Sequence, residues 1–158
     1  MILLGGLWLA CAATAFSQDG NNYWEKMKKS HPEVSLDELA KKVSAAPSAA
    51  VAFEGEGLPG YRLSLVYGGE YRKVTPKNQS LIRRLGLKPN QEKQYQYELL
   101  FKHNGQEVWL PVQTKLIEQL ELEVRQNEPV LLYTKVLPTS ESVADSPVPM
   151  VVEEYQVN

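Results

Sequence analysis

The stretch from Glu92 to Val124 constrains the fold more than any other part of the chain. It reads strand, tight turn, strand, helix. Tyr95, Tyr97, Leu99 and Phe101 alternate with Gln94, Gln96, Glu98 and Leu100, so one face is strongly apolar, as in a strand that covers a core. Asn104-Gly105 follows, the strongest short hairpin signal, because both residues tolerate positive φ. On the return strand Val108, Leu110 and Val112 face inward, which sends Trp109 to the opposite face. Thr114 can then cap a helix whose apolar stripe is Leu116, Ile117, Leu120 and Val124.

Before this stretch, Gly60–Thr75 reads as one strand, or as two broken at Gly68-Gly69. Thr75-Pro76 looks like a helix N-cap followed by proline at the first helical position, with Leu81, Ile82 and Leu85 as the stripe and Gly86 as the stop. After it, Asn127-Glu128-Pro129 makes a turn. VLLYTKVL is a nearly continuous apolar strand, as expected of one buried on both sides or set in a closed barrel. PTSESVADSPV reads as a loop and MVVEEYQV as a last strand.

This order, β, short helix, β-hairpin, helix, β, loop, β, resembles an oligonucleotide/oligosaccharide-binding (OB) barrel over about residues 60–157, with the helix near 114–124 in the slot between the third and fourth strands. The resemblance lies in element order alone. It implies a mainly β, α+β domain built on a five-stranded OB-like barrel. The alternative is another small antiparallel barrel or an α+β sheet.

The N-terminal part divides into three. Met1–Phe16 carries no charged side chain and is short for a spanning helix, which needs about 20 apolar residues. It suits the apolar core of a secretory signal, with small residues placed for cleavage after Ser17. Residues 1–17 are therefore expected to be a signal peptide, and the protein to be exported, periplasmic or secreted, with no stable membrane span in the mature chain. Cys11 is the only cysteine. Lipidation there, making a lipoprotein, is the minority alternative; after ordinary cleavage no thiol chemistry remains.

Residues 18–46 form a helical extension. Tyr23, Trp24 and Met27 share a face of a short helix that Asn22 can cap and Pro32 stops. Ser35 and Glu38 make a capping box, Val34 and Leu39 a hydrophobic staple, and Leu36, Leu39, Ala40 and Val43 one apolar face. Such helices either pack on the following domain or engage a partner. Tyr23, Trp24 and Met27 are the candidate partner-binding residues. Residues 47–60 read as a linker ahead of the 61–158 barrel domain. Its Gly55–Gly60 matches G-x-G-x-x-G, but a strand pattern follows where a dinucleotide site needs a helix, and Glu54 and Glu56 would repel phosphate.

The chain of 158 residues has a formal net charge of −2, which argues against a general polyanion binder. The charge is unevenly placed. Residues 61–103 hold nine Lys/Arg against three acids, and residues 104–158 hold three against nine. Either a basic face meets an anionic ligand or acidic partner, or the two halves neutralise each other in the fold. Arg72, Lys73, Arg83 and Arg84, with Trp109 as an aromatic platform, are the candidate ligand-binding residues. Trp109 has a second reading, as part of a small outer core roofed by Tyr23 and Trp24.

Catalytic patterns are thin. His31 and His103 are read as surface residues; no His-x-x-x-His or Asp-x-Asp pattern offers a metal site, and no Gly-x-Ser-x-Gly elbow is present. Glu118, Glu121 and Glu123 lie on or near one helix. No catalytic residue, metal or cofactor is expected, and no nucleic-acid ligand, since the tyrosines face the core and export removes the protein from most nucleic acid. Asn78-Gln79-Ser80 is a glycosylation sequon, meaningful in a eukaryotic secretory pathway. The expectation is a non-catalytic binding or assembly module of the cell envelope or extracellular space, with a protein or an anionic glycan as partner. The alternatives are a glycan or anion binder using the basic, aromatic barrel face, and a small hydrolase.

Overall fold

A computed structural model describes residues 17–45, 58–84, 89–136 and 146–157. Residues 1–16 of the expected signal segment, with Cys11, most of the linker, Leu85 and Gly86 and most of the loop before the last strand lie outside those residues, as do the side chains of Leu81 and Arg84. The protein is α+β. Its strands are β1 (Gly60–Lys73), β2 (Tyr97–His103), β3 (Gln106–Val112), β4 (Pro129–Val136) and β5 (Met150–Val157). Its helices, among the described residues, are α1 (Ser17–Ser30), α2 (Leu36–Ala45), α3 (Pro76–Arg84), α4 (Pro89–Glu92) and α5 (Thr114–Glu123). None is long and apolar enough to cross a membrane.

The strands form one mixed sheet that closes in a ring in the order β1-β2-β3-β5-β4. Neighbours pair antiparallel except β3 and β5, which meet in parallel at Val112↔Val152. With α5 between β3 and β4, this agrees coarsely with the OB-like order.

One strand, β1, serves two sides of the ring. Gly60–Val66 pairs with β4, and Val66–Lys73 with β2, with a register shift between Tyr67 and Tyr71. The glycine pair bends the strand without breaking it. A Cβ on Gly68 would fall 2.5 Å from Leu100 Cγ, and Gly69 has φ +76°. The Gln126 side-chain amide donates to the Gly68 carbonyl at 2.8 Å and holds the bend.

The β2–β3 hairpin turns at Asn104 (φ 50°) and Gly105 (φ 78°), as their chemistry demands. Its inner pairs, Leu99↔Leu110 and Phe101↔Val108, are fully buried in the main core. The inward row expected on β2 is shorter than the pattern implied. Tyr97 is only half-buried at the rim, and Tyr95 precedes the strand and packs with Val74, Ile82 and Val151 in a second cluster.

Helices plug both ends of the ring. Ser35 and Glu38 form the reciprocal capping box, each bond 3.2 Å, and α2 inserts Leu36 and Leu39 into the core. Burying each such leucine is worth about 1.5–3 kcal/mol. Asp37 accepts a 3.1 Å contact from His103, which places α2 at the hairpin-turn end. At the other end, following Val112, α5 inserts Leu116 and Leu120. Thr114 is not its cap. Gln113 occupies that position without a side-chain bond, and the Thr114 hydroxyl instead donates to the Gln94 carbonyl at 2.9 Å.

The first helix is longer than its Asn22 cap implied, starting at Ser17. Gly20 inside it costs about 1 kcal/mol without stopping it. It lies on the outside of β4. Trp24 packs on Tyr133 with ring centroids 5.5 Å apart, and His31 meets the same ring edge-on at 5.6 Å. That cover leaves Tyr133 with no exposed surface and accounts for the nearly continuous apolar run of β4, which only Lys135 interrupts with a charge. His31, expected at the surface, is 4% exposed.

Candidate functional site

The outer face of β2 carries the least expected group in the molecule. Alternation puts Glu98 opposite to Leu99, yet Glu98 has no exposed surface. Its Oε2 accepts from Arg72 Nε at 2.8 Å. Its Oε1 accepts from the Thr75 N–H at 3.0 Å, the Thr75 hydroxyl at 3.1 Å and Asn78 Nδ2 at 2.6 Å. A buried carboxylate is tolerated only when so provided with donors. Thr75 Oγ1 also accepts from the Asn78 N–H at 3.4 Å, the N-cap bond read from Thr75-Pro76. Glu98 thereby fixes the start of α3 on the sheet. The sequon does not survive as an acceptor site in the fold, because Asn78 is 3% exposed and its amide is committed to Glu98.

Two of the candidate ligand residues meet here, but they meet each other. The Arg72 guanidinium lies over the Trp109 ring, 4.2 Å from its centroid, while its Nε holds Glu98. Trp109 is half-buried on the outer face, as the alternation of β3 implied. Its cover is Arg72. The proposed roof of Tyr23 and Trp24 is elsewhere, on Tyr133 of β4, with the Tyr23 hydroxyl donating to Glu154 at 3.2 Å. Met27 is half-buried on the same helix.

Lys73, one residue on, points to the other face and into a different site. An open cleft of about 440 Å³ lies between α3, α4 and the approach to β2. Lys73, Arg83 and Lys93 line it, with Glu92 as the only carboxylate among the described residues that line it. All three cations are solvent-exposed, and none is in an ion pair among the described residues. Gln79 and Gln96 add amides, and Tyr95 and Tyr97 add rings. The Tyr95 hydroxyl accepts from Gln113 Nε2 at 3.2 Å, and burial pushes its pKa up to about 12, so the phenol stays neutral near pH 7. The cleft thus offers converging positive charge, neutral hydrogen-bonding groups and a partly aromatic floor.

Of the ligand-binding candidates, then, Lys73 and Arg83 share the cleft, and Arg72 and Trp109 are apart from it. Sequence reasoning counted Lys93 among the basic residues but did not single it out, because α4, which carries the chain round to it, has too short a pattern to read. The two histidines are far from the cleft in kind as well as place: His31 is packed on Tyr133 and His103 on Asp37. Among the described residues no three His, Cys, Asp or Glu side chains gather as metal ligands would.

No protein-family model, curated protein or solved structure matches the chain.

Proposed function

We propose that this is an exported, non-catalytic binding module built on an OB-type barrel, and that it binds a partner through anionic groups seated in the Lys73–Arg83–Lys93 cleft. The observation that carries the reading is the convergence on one concave surface of three exposed cations that, among the described residues, have no ion-pair partner and face one carboxylate. Exposed charges of this kind raise association rates and give salt-sensitive affinity. The uncharged run from Met1 to Phe16 supports export. The hydrolase alternative has less behind it, since among the described residues no second carboxylate faces Glu92 across the cleft.

The test is a titration of the full chain with two labelled anionic probes, a heparin oligosaccharide and an oligoglutamate peptide. Binding to at least one should weaken with added salt and fall about tenfold or more in Lys73→Glu/Arg83→Glu. If neither probe binds, or if the double charge reversal leaves affinity intact, the cleft is not the binding site.

A further inference from the structure

A second recess adjoins the cleft. It measures about 260 Å³ and is lined by Tyr71, Tyr97, Thr114, Ile117, Glu118 and Glu121. Tyr97 belongs to both. Tyr71 and Tyr97 stand edge-to-face at an interplanar angle of 86°, with ring centroids 5.7 Å apart, and this pair makes one corner of the recess. Tyr71 is 57% exposed, a large aromatic surface left in water although the apolar flank of α5 lies beside it. Glu118 and Glu121 are one helical turn apart on α5 and so project to the same side. Neither is in an ion pair among the described residues.

Electron-rich ring faces set at a right angle, with carboxylates alongside, are the chemistry that seats an organic cation. We propose that Tyr71, Tyr97, Glu118 and Glu121 bind the lysine or arginine side chain of a polypeptide partner. The charge pattern selects that occupant. An acidic side chain in the Lys73–Arg83 cleft and a basic one in the tyrosine corner are spanned by one peptide segment passing Tyr97, whereas an anionic glycan carries nothing for the second seat. The peptide assignment rests on the anionic reading of the cleft; the cation seat rests on its own residues.

Fluorescence anisotropy with the full chain tests this, using short labelled peptides of Gly/Ser background carrying glutamates, lysines, or a glutamate block followed by lysines. The mixed peptide should bind about fivefold or more tighter than the glutamate peptide, the scale of one cation–ring contact aided by carboxylates. Tyr71→Leu, and separately Glu118→Gln/Glu121→Gln, should remove that advantage and leave the glutamate peptide bound at least as well as before. All these positions are exposed or half-buried at the rim, so circular dichroism should be unchanged. A mixed peptide no tighter than the glutamate peptide, or an advantage that survives both variants, overturns the proposal. Lysine-peptide binding that depends on Tyr71, with no glutamate-peptide binding, would keep the cation seat and sink the anionic reading of the cleft.

Discussion

The side-chain amide of Asn78 donates to Glu98 at 2.6 Å, and this bond ties the first turn of α3 to the outer face of β2. Glu98 takes three further donors from Arg72 and Thr75, so one carboxylate assembles strand, cap and helix. Because α3 carries Ile82 and Arg83 to the cleft, this buried hub determines where the cleft wall stands.

Glu98→Ala strips the acceptor from four donors at once. The expected loss is about 3–5 kcal/mol, the range for breaking a buried ion pair on one side. Asn78→Ala, which removes one donor, should cost about 1–3 kcal/mol. Urea unfolding measures both as shifts in midpoint at unchanged slope. A Glu98→Ala variant within about 1 kcal/mol of the parent would show that the hub is not structural.

The hairpin, the helices α2 and α5, the capping box and the apolar run of β4 are legible because each is a local pattern, whereas the packing of α2 into the ring is not. Turn residues with positive φ, a 3.6-residue stripe and a Ser-x-x-Glu box all act within a few positions of themselves. Glu98 was not legible, since alternation marks it as solvent-facing and only the arrival of Arg72, Thr75 and Asn78 makes it interior. His31 was misread for the same reason: its cover, Tyr133, lies far along the chain. The charge imbalance of residues 61–103 was visible, but alternation along β1 splits Arg72 from Lys73, and no periodicity says that α3 and α4 fold Arg83 and Lys93 back beside Lys73.

His31 sits so close to β1 that only glycine fits beneath it. A Cβ at Gly60 would fall 2.4 Å from His31 Cδ2 and 2.5 Å from Nε2. The ring cannot swing away freely, because Tyr133 flanks it and Ser30 Oγ holds Nδ1 at 2.9 Å. Gly60→Ala should therefore cost about 1–3 kcal/mol, the usual price of overpacking. In the background of His31→Ala the same substitution should cost much less. Additive losses in this double-mutant cycle would mean that the clash is relieved some other way.

The same histidine makes the packing of α1 pH-dependent. Burial lowers the pKa of His31, outweighing the Met27 carbonyl and Glu153, which favour the proton; Lys135 and Arg62 disfavour it too. Among the described residues Nε2 has no hydrogen-bond partner to receive a proton's charge. The folded state thus binds this proton less readily than the unfolded chain, whose histidine titrates near about 6.5. Stability is unaffected by this group above that pH and falls as pH drops below it, until the lowered folded pKa is passed. Unfolding free energies of the parent and of His31→Asn, compared from about pH 7.5 to about pH 5, isolate the effect. The parent should lose more stability over that window; parallel curves would refute the linkage.

Trp109 separates stability from binding. Its ring is covered by the Arg72 guanidinium, which is itself fixed by Glu98, so truncating Trp109 removes packing and a cation–ring contact from an assembled face. Cation–ring contacts contribute about 0.5–1 kcal/mol when exposed, and up to about 2 when desolvated. With the lost apolar area of a half-buried indole, Trp109→Ala should destabilise the protein by about 2–3 kcal/mol. Lys73 and Arg83 lie on another face and keep their positions, because α3 is held by Glu98 through Thr75 and Asn78, not by Trp109. Affinity for an oligoglutamate probe should therefore stay within about twofold of the parent at a temperature where both are folded, since surface substitutions away from a site act nearly independently of it. A large loss of affinity without loss of stability would return Trp109 to the binding face and move the site from the cleft to the outer surface of the hairpin.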